Sequence, residues 1–305
     1  MRLDHVREIH IEPTSLCNAE CPQCARNING SGLNPNIGLD SLTINYFTNF
    51  FNRDNIAKVN KIFFCGNVGD PCATPDLLEI CRYLKSIKPD LVLGINTNGS
   101  LKTEEWFRSL GKIFKGPFDY VVFSIDGLED TNHVYRRNTS WLKIMRNAKA
   151  YISTGASAHW DMLVFDHNKH QVDSAQRLAR EMGFTWFRSK TTDRWDSYPE
   201  TDDLRASEPH VAKDYSNVDI LCEKNRDKSI FIDYRGEVWP CCHMASAYLS
   251  HIDRHRHEDI RQYSNSQLMI QYQGKLITDP FYVCRRSCGT ETGKRSQWKK
   301  EIQLN

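Results

Sequence analysis

The stretch His5-Val6-Arg7-Glu8-Ile9-His10-Ile11-Glu12-Pro13-Thr14, followed after two residues by Cys17-Asn18-Ala19-Glu20-Cys21-Pro22-Gln23-Cys24, decides how the rest of the chain reads. Val6, Ile9 and Ile11 mark a short extended run that stops at Pro13, so a first strand is predicted whose carboxyl end delivers three thiols on one loop. The spacing, C-x3-C-x2-C, gathers three soft sulfur ligands with no fourth nearby. A cubane iron–sulfur cluster held by three thiolates keeps one iron open, as a catalytic zinc with three protein ligands keeps its fourth position open. Two plainer readings use the same residues: half of a structural zinc site, or small buried apolar side chains.

Moving outward, further strands are predicted at Asn60–Cys65, Leu91–Ile95, Tyr120–Ser124, His159–Phe165 and Phe184–Arg188. Between them lie helical patterns: one capped by Asp40 or Ser41, one starting at Thr74-Pro75, others at Glu104–Ile113, Glu129–Tyr135 and Trp141–Ser153, and Val172–Met182 closed by Gly183. Strands separated by helical crossovers imply a parallel α/β sheet, in which functional loops sit at strand carboxyl ends. A polar, aspartate-rich stretch, 191–218, then breaks the rhythm as a linker or lid. The expected organisation is residues 1–190 as the main α/β domain, 191–218 as the linker or lid, and 219–305 as a smaller second domain.

The loops after the strands give the cysteine loop its context. Val68-Gly69-Asp70-Pro71 follows the second strand, Asn96-Thr97-Asn98-Gly99 the third, and Ser124-Ile125-Asp126-Gly127 the fourth, with His133 and Arg137 behind it. In this order behind C-x3-C-x2-C, they resemble the motifs of the radical S-adenosylmethionine (SAM) superfamily. The resemblance implies an α/β fold with a partial (β/α)6 barrel, and a 4Fe-4S cluster on Cys17, Cys21 and Cys24 whose open iron takes SAM. It also implies a SAM site using Gly69, Asp70, Asn96, Asn98, Ser124, Asp126 and Arg137. Two positions depart from the family pattern: Gln23 stands where an aromatic residue usually lies beside the adenine, and Asp70 replaces a glutamate.

A second cysteine group follows the linker. Cys222, thirteen residues, Gly236, four residues and Cys241 form C-x13-G-x4-C around a predicted β-hairpin turning at Tyr234-Arg235-Gly236, and Cys284 and Cys288 come later. The pattern is similar to the opening of the SPASM and twitch extensions of radical SAM enzymes. Of the eleven cysteines, Cys65, Cys72 and Cys81 read as packing thiols, which leaves enough for one further four-ligand site. The shorter twitch form, with a small α+β domain holding one auxiliary 4Fe-4S cluster on Cys222, Cys241, Cys284 and Cys288, is the better match. Cys242 is then the spare, because adjacent side chains of a strand face opposite ways. Zinc on the same four thiolates is the rival.

A net charge of +2 and 26% charged residues disfavour a nucleic-acid partner, and no run is long and apolar enough for a membrane span. With no export signal at the start and an odd cysteine count, the expected compartment is the cytoplasm. The expected partners are a low-potential electron donor of flavodoxin or ferredoxin type and a small-molecule or peptide substrate, with oxidation as the reaction. Peptide crosslinking or epimerisation is the alternative, although the first strand begins too early to leave room for an amino-terminal peptide-recognition domain. A non-catalytic iron–sulfur sensor or electron carrier is the reading from another class. Polar residues expected at the barrel mouth are Asp161, Asp166, Arg188 and Lys190; His251, His255 and His257 read as a solvated helix face, and Lys294 and Arg295 as part of a basic tail.

Overall fold

The structure, a computed structural model, describes residues 3–28, 30–192, 194–209, 214–216, 218–251, 254–289 and 299–304. Strand β1 (Glu8–Ile11) opens the chain, and the loop after it carries a small antiparallel pair, β2 (Asn27–Ile28) and β3 (Ser31–Leu33). Then come α1 (Ile44–Phe50), β4 (Lys61–Phe64), α2 (Leu77–Ile87), β5 (Val92–Thr97), α3 (Glu104–Ile113), β6 (Tyr120–Ser124), α4 (Asn132–Tyr135), α5 (Trp141–Ile152), β7 (Ser157–Val164), α6 (Val172–Met182) and β8 (Trp186–Thr191). Strands β1, β4, β5, β6, β7 and β8 pair in parallel in that order, the arrangement of a six-unit partial barrel.

Alternation along the strands separates two surfaces. Ile62 and Phe64 of β4, and Ala158, Trp160 and Met162 of β7, are fully buried in one core with the helices. The intervening residues, including Asp161 and, on β8, Arg188, face the other side of the sheet. Helix starts follow local chemistry: Thr103 accepts a hydrogen bond from the Trp106 N–H, and Ser140 from that of Lys143. Gly183, at φ 87°, ends α6 in the left-handed conformation that glycine favours. The start of α2 is displaced from Thr74-Pro75 to Leu77, because the Asp70 carboxylate accepts from the Cys72 N–H and caps a separate short turn, Pro71–Ala73.

The carboxyl-terminal region adds α7 (Glu223–Arg226), β9 (Ser229–Ile232), β10 (Val238–Trp239), α8 (Cys242–Leu249), α9 (Glu258–Arg261), α10 (Asn265–Thr278), α11 (Tyr282–Cys288) and β11 (Lys300–Gln303). The predicted hairpin is there, with Gly236 in its turn at φ 80°, but it does not stand apart. β9 pairs in parallel with β1, placing Ile230 beside Ile9, and β10 adds antiparallel to β9. β11 pairs antiparallel with β8, so the sheet has nine strands among the described residues. What is separate is a second apolar core of Phe231, Trp239, Met244, Ile260, Leu268 and Phe281. His257 is buried and packs its ring 5.6 Å from Tyr282, so it is not part of a solvated face. Lys294 and Arg295 lie outside the described residues, and no described helix is long and apolar enough to cross a membrane.

Candidate active site

The cysteine loop leaves β1 through two anchored residues. Glu12 is buried, and its Oε1 accepts from the backbone N–H groups of Val68 at 2.6 Å and Gly69 at 3.1 Å, which ties the loop after β4 to the end of β1. Ser15 donates its hydroxyl to the Gly38 carbonyl at 2.7 Å, and the Asp70 N–H donates to the Leu16 carbonyl at 2.8 Å. A Cβ added to Gly69 would lie 1.9 Å from the Thr14 carbonyl oxygen, so only glycine permits this approach.

Each thiol of the loop is met by a polar group from a different strand-end loop. Asn98, after β5, brings its Nδ2 to 3.7 Å from Cys17 Sγ and donates to Asn18 Oδ1 at 2.9 Å. Arg136, at the end of α4, places Nη1 3.8 Å from Cys21 Sγ. The Asn67 carbonyl, after β4, lies 3.9 Å from Cys24 Sγ. All three cysteines pack with Ala19, Tyr135 and Phe165. Burial pushes the Cys21 thiol up to about 11, the Arg136 charge opposing it, and burial pushes Cys17 up further, assisted by the Asp70 carboxylate. A metal held by these thiols would therefore have to displace their protons.

Asp70 and Asp126 are both fully engaged within the protein. The Asp70 oxygens accept from the Cys72 N–H, the Thr97 hydroxyl and the Asn98 N–H, locking the loops after β4 and β5 together. Asp126 accepts from Arg136 Nε at 2.6 Å and from the Leu163 N–H at 2.6 Å. Burial raises the pKa of both carboxyls. Arg136, rather than Arg137, therefore joins Asp126 to the cysteine loop; Arg137 sends its guanidinium toward Gly30 instead, and its carbonyl accepts from the Glu20 N–H. Asn96 and Ser124, half-buried at the ends of β5 and β6, have no side-chain hydrogen-bond partner among the described residues.

Further residues gather on the same side of the sheet. Asp161 and Arg188 form a two-pronged ion pair, at 2.7 and 2.8 Å, between β7 and β8. Asp166, expected beside them, is instead half-exposed in a surface pair with Lys169. Cys65 is half-buried and outside the apolar cluster that holds Cys72 and Cys81, so it is not a packing thiol like those two. Glu12 and Arg136 were not among the residues singled out from sequence; the only signal for Glu12 was an acid placed immediately after an apolar strand.

Burial pushes the Glu12 carboxyl up to about 8, against the two N–H groups that favour its charged form. Between its ordinary value of 4.5 and about 8 the folded protein keeps a proton that the unfolded chain releases, so stability falls as pH rises through that interval. Glu12→Gln, which retains the acceptor oxygen, is expected to flatten this part of the profile by on the order of a few kcal/mol. Chemical unfolding at several pH values measures it, and an undiminished slope contradicts the assignment.

Four of the five later cysteines converge. Cys222, Cys241, Cys284 and Cys288 line one small cavity together with Lys224, Pro240, His243 and Met244. A hydrogen bond from the Cys288 thiol holds Cys222 down at about 6 and raises Cys288. Cys242 is not among the lining residues and lies within electrostatic range of Cys65 and Glu12 instead. The separation of Cys241 from Cys242 arises because α8 begins there with Cys241 as its N-cap, rather than from alternation along a strand. Among the described residues no three His, Cys, Asp or Glu side chains converge tightly enough for one metal ion.

The residues fit a cluster and a polar ligand beside it. Three thiols on one loop form the donor set, and Gln23, between two of them in sequence, is 1% exposed with both side-chain amide atoms lacking a partner among the described residues. A parallel partial barrel that presents such a loop at its carboxyl mouth defines a class of cluster-binding α/β barrels. The model of the Radical SAM superfamily matches residues 11–179, and the chain belongs to that superfamily.

Two curated relatives are similar over part of the chain. A tungsten-containing aldehyde ferredoxin oxidoreductase cofactor-modifying protein of Pyrococcus furiosus is 26% identical over 132 residues, 42% of this chain and 33% of that protein. An AdoMet-dependent heme synthase of Methanosarcina barkeri is 25% identical over 185 residues, 58% of this chain and 48% of that protein. The aligned part therefore spans less than half the length of either relative. Among solved structures, Streptococcus suis SuiB bound to precursor peptide SuiA superposes with a TM-score of 0.58 at 15% identity, covering 96% of this chain and 69% of SuiB, a likeness of fold.

Proposed function

We propose that the chain is an enzyme that reductively cleaves SAM at a 4Fe-4S cluster held by Cys17, Cys21 and Cys24, and abstracts hydrogen from a small-molecule or peptide substrate, oxidising it. When bound, cluster and SAM supply a 5′-deoxyadenosyl radical for that abstraction. Around them the chain's own residues hold and orient. Asn98 and Arg136 position the thiolates of Cys17 and Cys21. The backbone around Gly69 receives the amino group of SAM, while Asn96 and Ser124 offer unpaired side chains to its ribose and carboxylate. Asp70 and Asp126 act through the loops they lock and through Arg136. The observation that carries this reading is the contact of three thiols with three separate strand-end loops. Anaerobically reconstituted protein given dithionite and SAM is expected to form 5′-deoxyadenosine; none formed with a fully loaded cluster would leave the electron-carrier reading in its place. In the cell a flavodoxin or ferredoxin would supply the electron.

The thiols of Cys222, Cys241, Cys284 and Cys288 hold a second 4Fe-4S cluster in this reading, giving residues 219–305 the role of a twitch domain. The shared cavity supports the ligand set, and zinc on the same four thiolates is the rival. Two cubanes correspond to about eight irons per chain. Cys241→Ser is expected to lower iron to about four per chain, and Cys242→Ser to leave it at about eight. Stoichiometric zinc, or the opposite response of the two variants, overturns the assignment. Peptide crosslinking or epimerisation is the second reading, supported by the fold likeness to SuiB, which is solved with a precursor peptide.

A further inference from the structure

Helix α8 runs between the two cysteine sites. It starts at the second, with Cys241 as its N-cap and Cys242 as its first residue, and its eight residues reach about 12 Å to Leu249. Both ends are fastened to the surroundings of Cys24. At the amino end, Asn67 Nδ2 donates to the Cys242 carbonyl at 3.1 Å, while the carbonyl of the same Asn67 lies 3.9 Å from Cys24 Sγ. At the carboxyl end, the fully buried Asn34 donates from Nδ2 to the Leu249 carbonyl at 3.1 Å and to the carbonyl of Ala25, the residue after Cys24, at 2.9 Å. Between these two clasps Ala25 packs with Ile37, Val68, Tyr234 and Leu249.

The Asn67 carbonyl bears on any metal that Cys24 holds. A protonated Cys24 can donate to it, but a Cys24 thiolate faces the negative end of the carbonyl dipole, which opposes added electron density on the sulfur and on the iron it binds. Two holds keep the carbonyl aimed there. Glu12 accepts from the Val68 N–H of the same peptide group on the barrel side, and the Asn67 side chain ties it to α8 on the other. Only the second hold leads to the other thiols, and it reaches α8 next to the N-cap, Cys241, which is one of them. We propose that Asn67, supported by Asn34, is a positioning residue through which occupancy of the second thiol set governs the reduction potential of the cluster on the first cysteine loop. A filled second site fixes the amino end of α8, and α8 then fixes the carbonyl beside Cys24. This coupling rests on the two-cluster reading above.

The test uses the full chain, reconstituted anaerobically, as wild type, Asn67→Ala, Cys241→Ser and the double variant. A redox titration monitored by EPR follows the cluster whose signal SAM alters, and iron is counted in each sample. Cys241→Ser is expected to shift the reduction equilibrium of that cluster at least about fivefold toward the reduced form, or about 40 mV for one electron. In the Asn67→Ala background the same substitution should shift the potential by less than half as much, the remainder being the direct field of the second cluster. Shifts of equal size in both backgrounds, or none in the wild type, overturn the proposal. If Asn67→Ala does not fold, hydrogen exchange decides: the amides of 24–26 and 66–68 should exchange faster in Cys241→Ser than in the wild type, and equal rates overturn the coupling. About four irons per chain in the wild type overturns the two-cluster reading and the coupling with it, whereas about eight irons with equal shifts overturns the coupling alone.

Discussion

Cys17→Ala is expected to eliminate 5′-deoxyadenosine formation while leaving the fold intact. Cys17 is only partly exposed, and its polar contacts are the Ala19 N–H at 3.3 Å and Asn98 at 3.7 Å. With Cys17, Cys21 and Cys24 as the proposed ligands, removing its sulfur would open a second iron and leave two thiolates, too few to keep a cubane in place. Loss of a partner one step outside a metal's ligands costs about 10–100-fold in affinity or activity, so loss of a ligand itself should exceed about a hundredfold. Asn98→Ala is the graded control. It keeps all three thiols but removes the Asn18 and Cys17 contacts, and the expected decrease is about 10–100-fold. Iron content, cluster absorbance and deoxyadenosine yield measured together check both variants. Full deoxyadenosine yield from Cys17→Ala would remove this loop from the chemistry.

The largest effect on stability is expected from Arg136→Met. The guanidinium donates to Asp126 at 2.6 Å, and the Asp126 side chain is fully buried. Methionine fills much of the same volume, yet it leaves the carboxylate with the Leu163 N–H as its remaining donor in place of a full charge. Breaking a buried pair from one side costs about 3–5 kcal/mol, because the other charge stays desolvated. Replacing both partners, as in Asp126→Leu with Arg136→Met, should recover part of that loss. Denaturant unfolding of the two single variants and the double variant closes the cycle. Purely additive costs would show that the two side chains do not act as a pair.

The partial barrel was legible because its determinants are local: apolar strands ended by glycine, asparagine and aspartate, and helices whose periodicity and caps lie within a few residues of each other. Six strands fell within a few residues of their observed bounds. What could not be read depends on rotation or on distant pairing. Arg136 and Arg137 are equivalent in spacing from Asp126, and the backbone turn at the end of α4 decides which one points back at Cys21. Glu12 gains its role only when the loop after β4 is laid across it, which no pattern near residue 12 announces. Cys65 and Cys81 look alike as thiols in apolar surroundings, but one follows a strand on its polar side and the other faces the core from a helix. The hairpin at 229–239 was recognisable, whereas its partner strand was not, since parallel pairing with β1 joins residues from opposite ends of the sequence.

That last pairing bears on how the protein is made. During synthesis β1 and its thiols leave the ribosome well before Ser229–Ile232, and until that segment has emerged the strand lacks its outer neighbour. The parallel partner β4 can supply only one edge in the meantime. The backbone groups along the other edge of β1 stay open to water or to a chaperone until β9 arrives, an exposed strand edge of the kind that invites misassociation. A truncated product ending before β9 is therefore expected to be a poor acceptor for iron even though it retains every cysteine of the first loop.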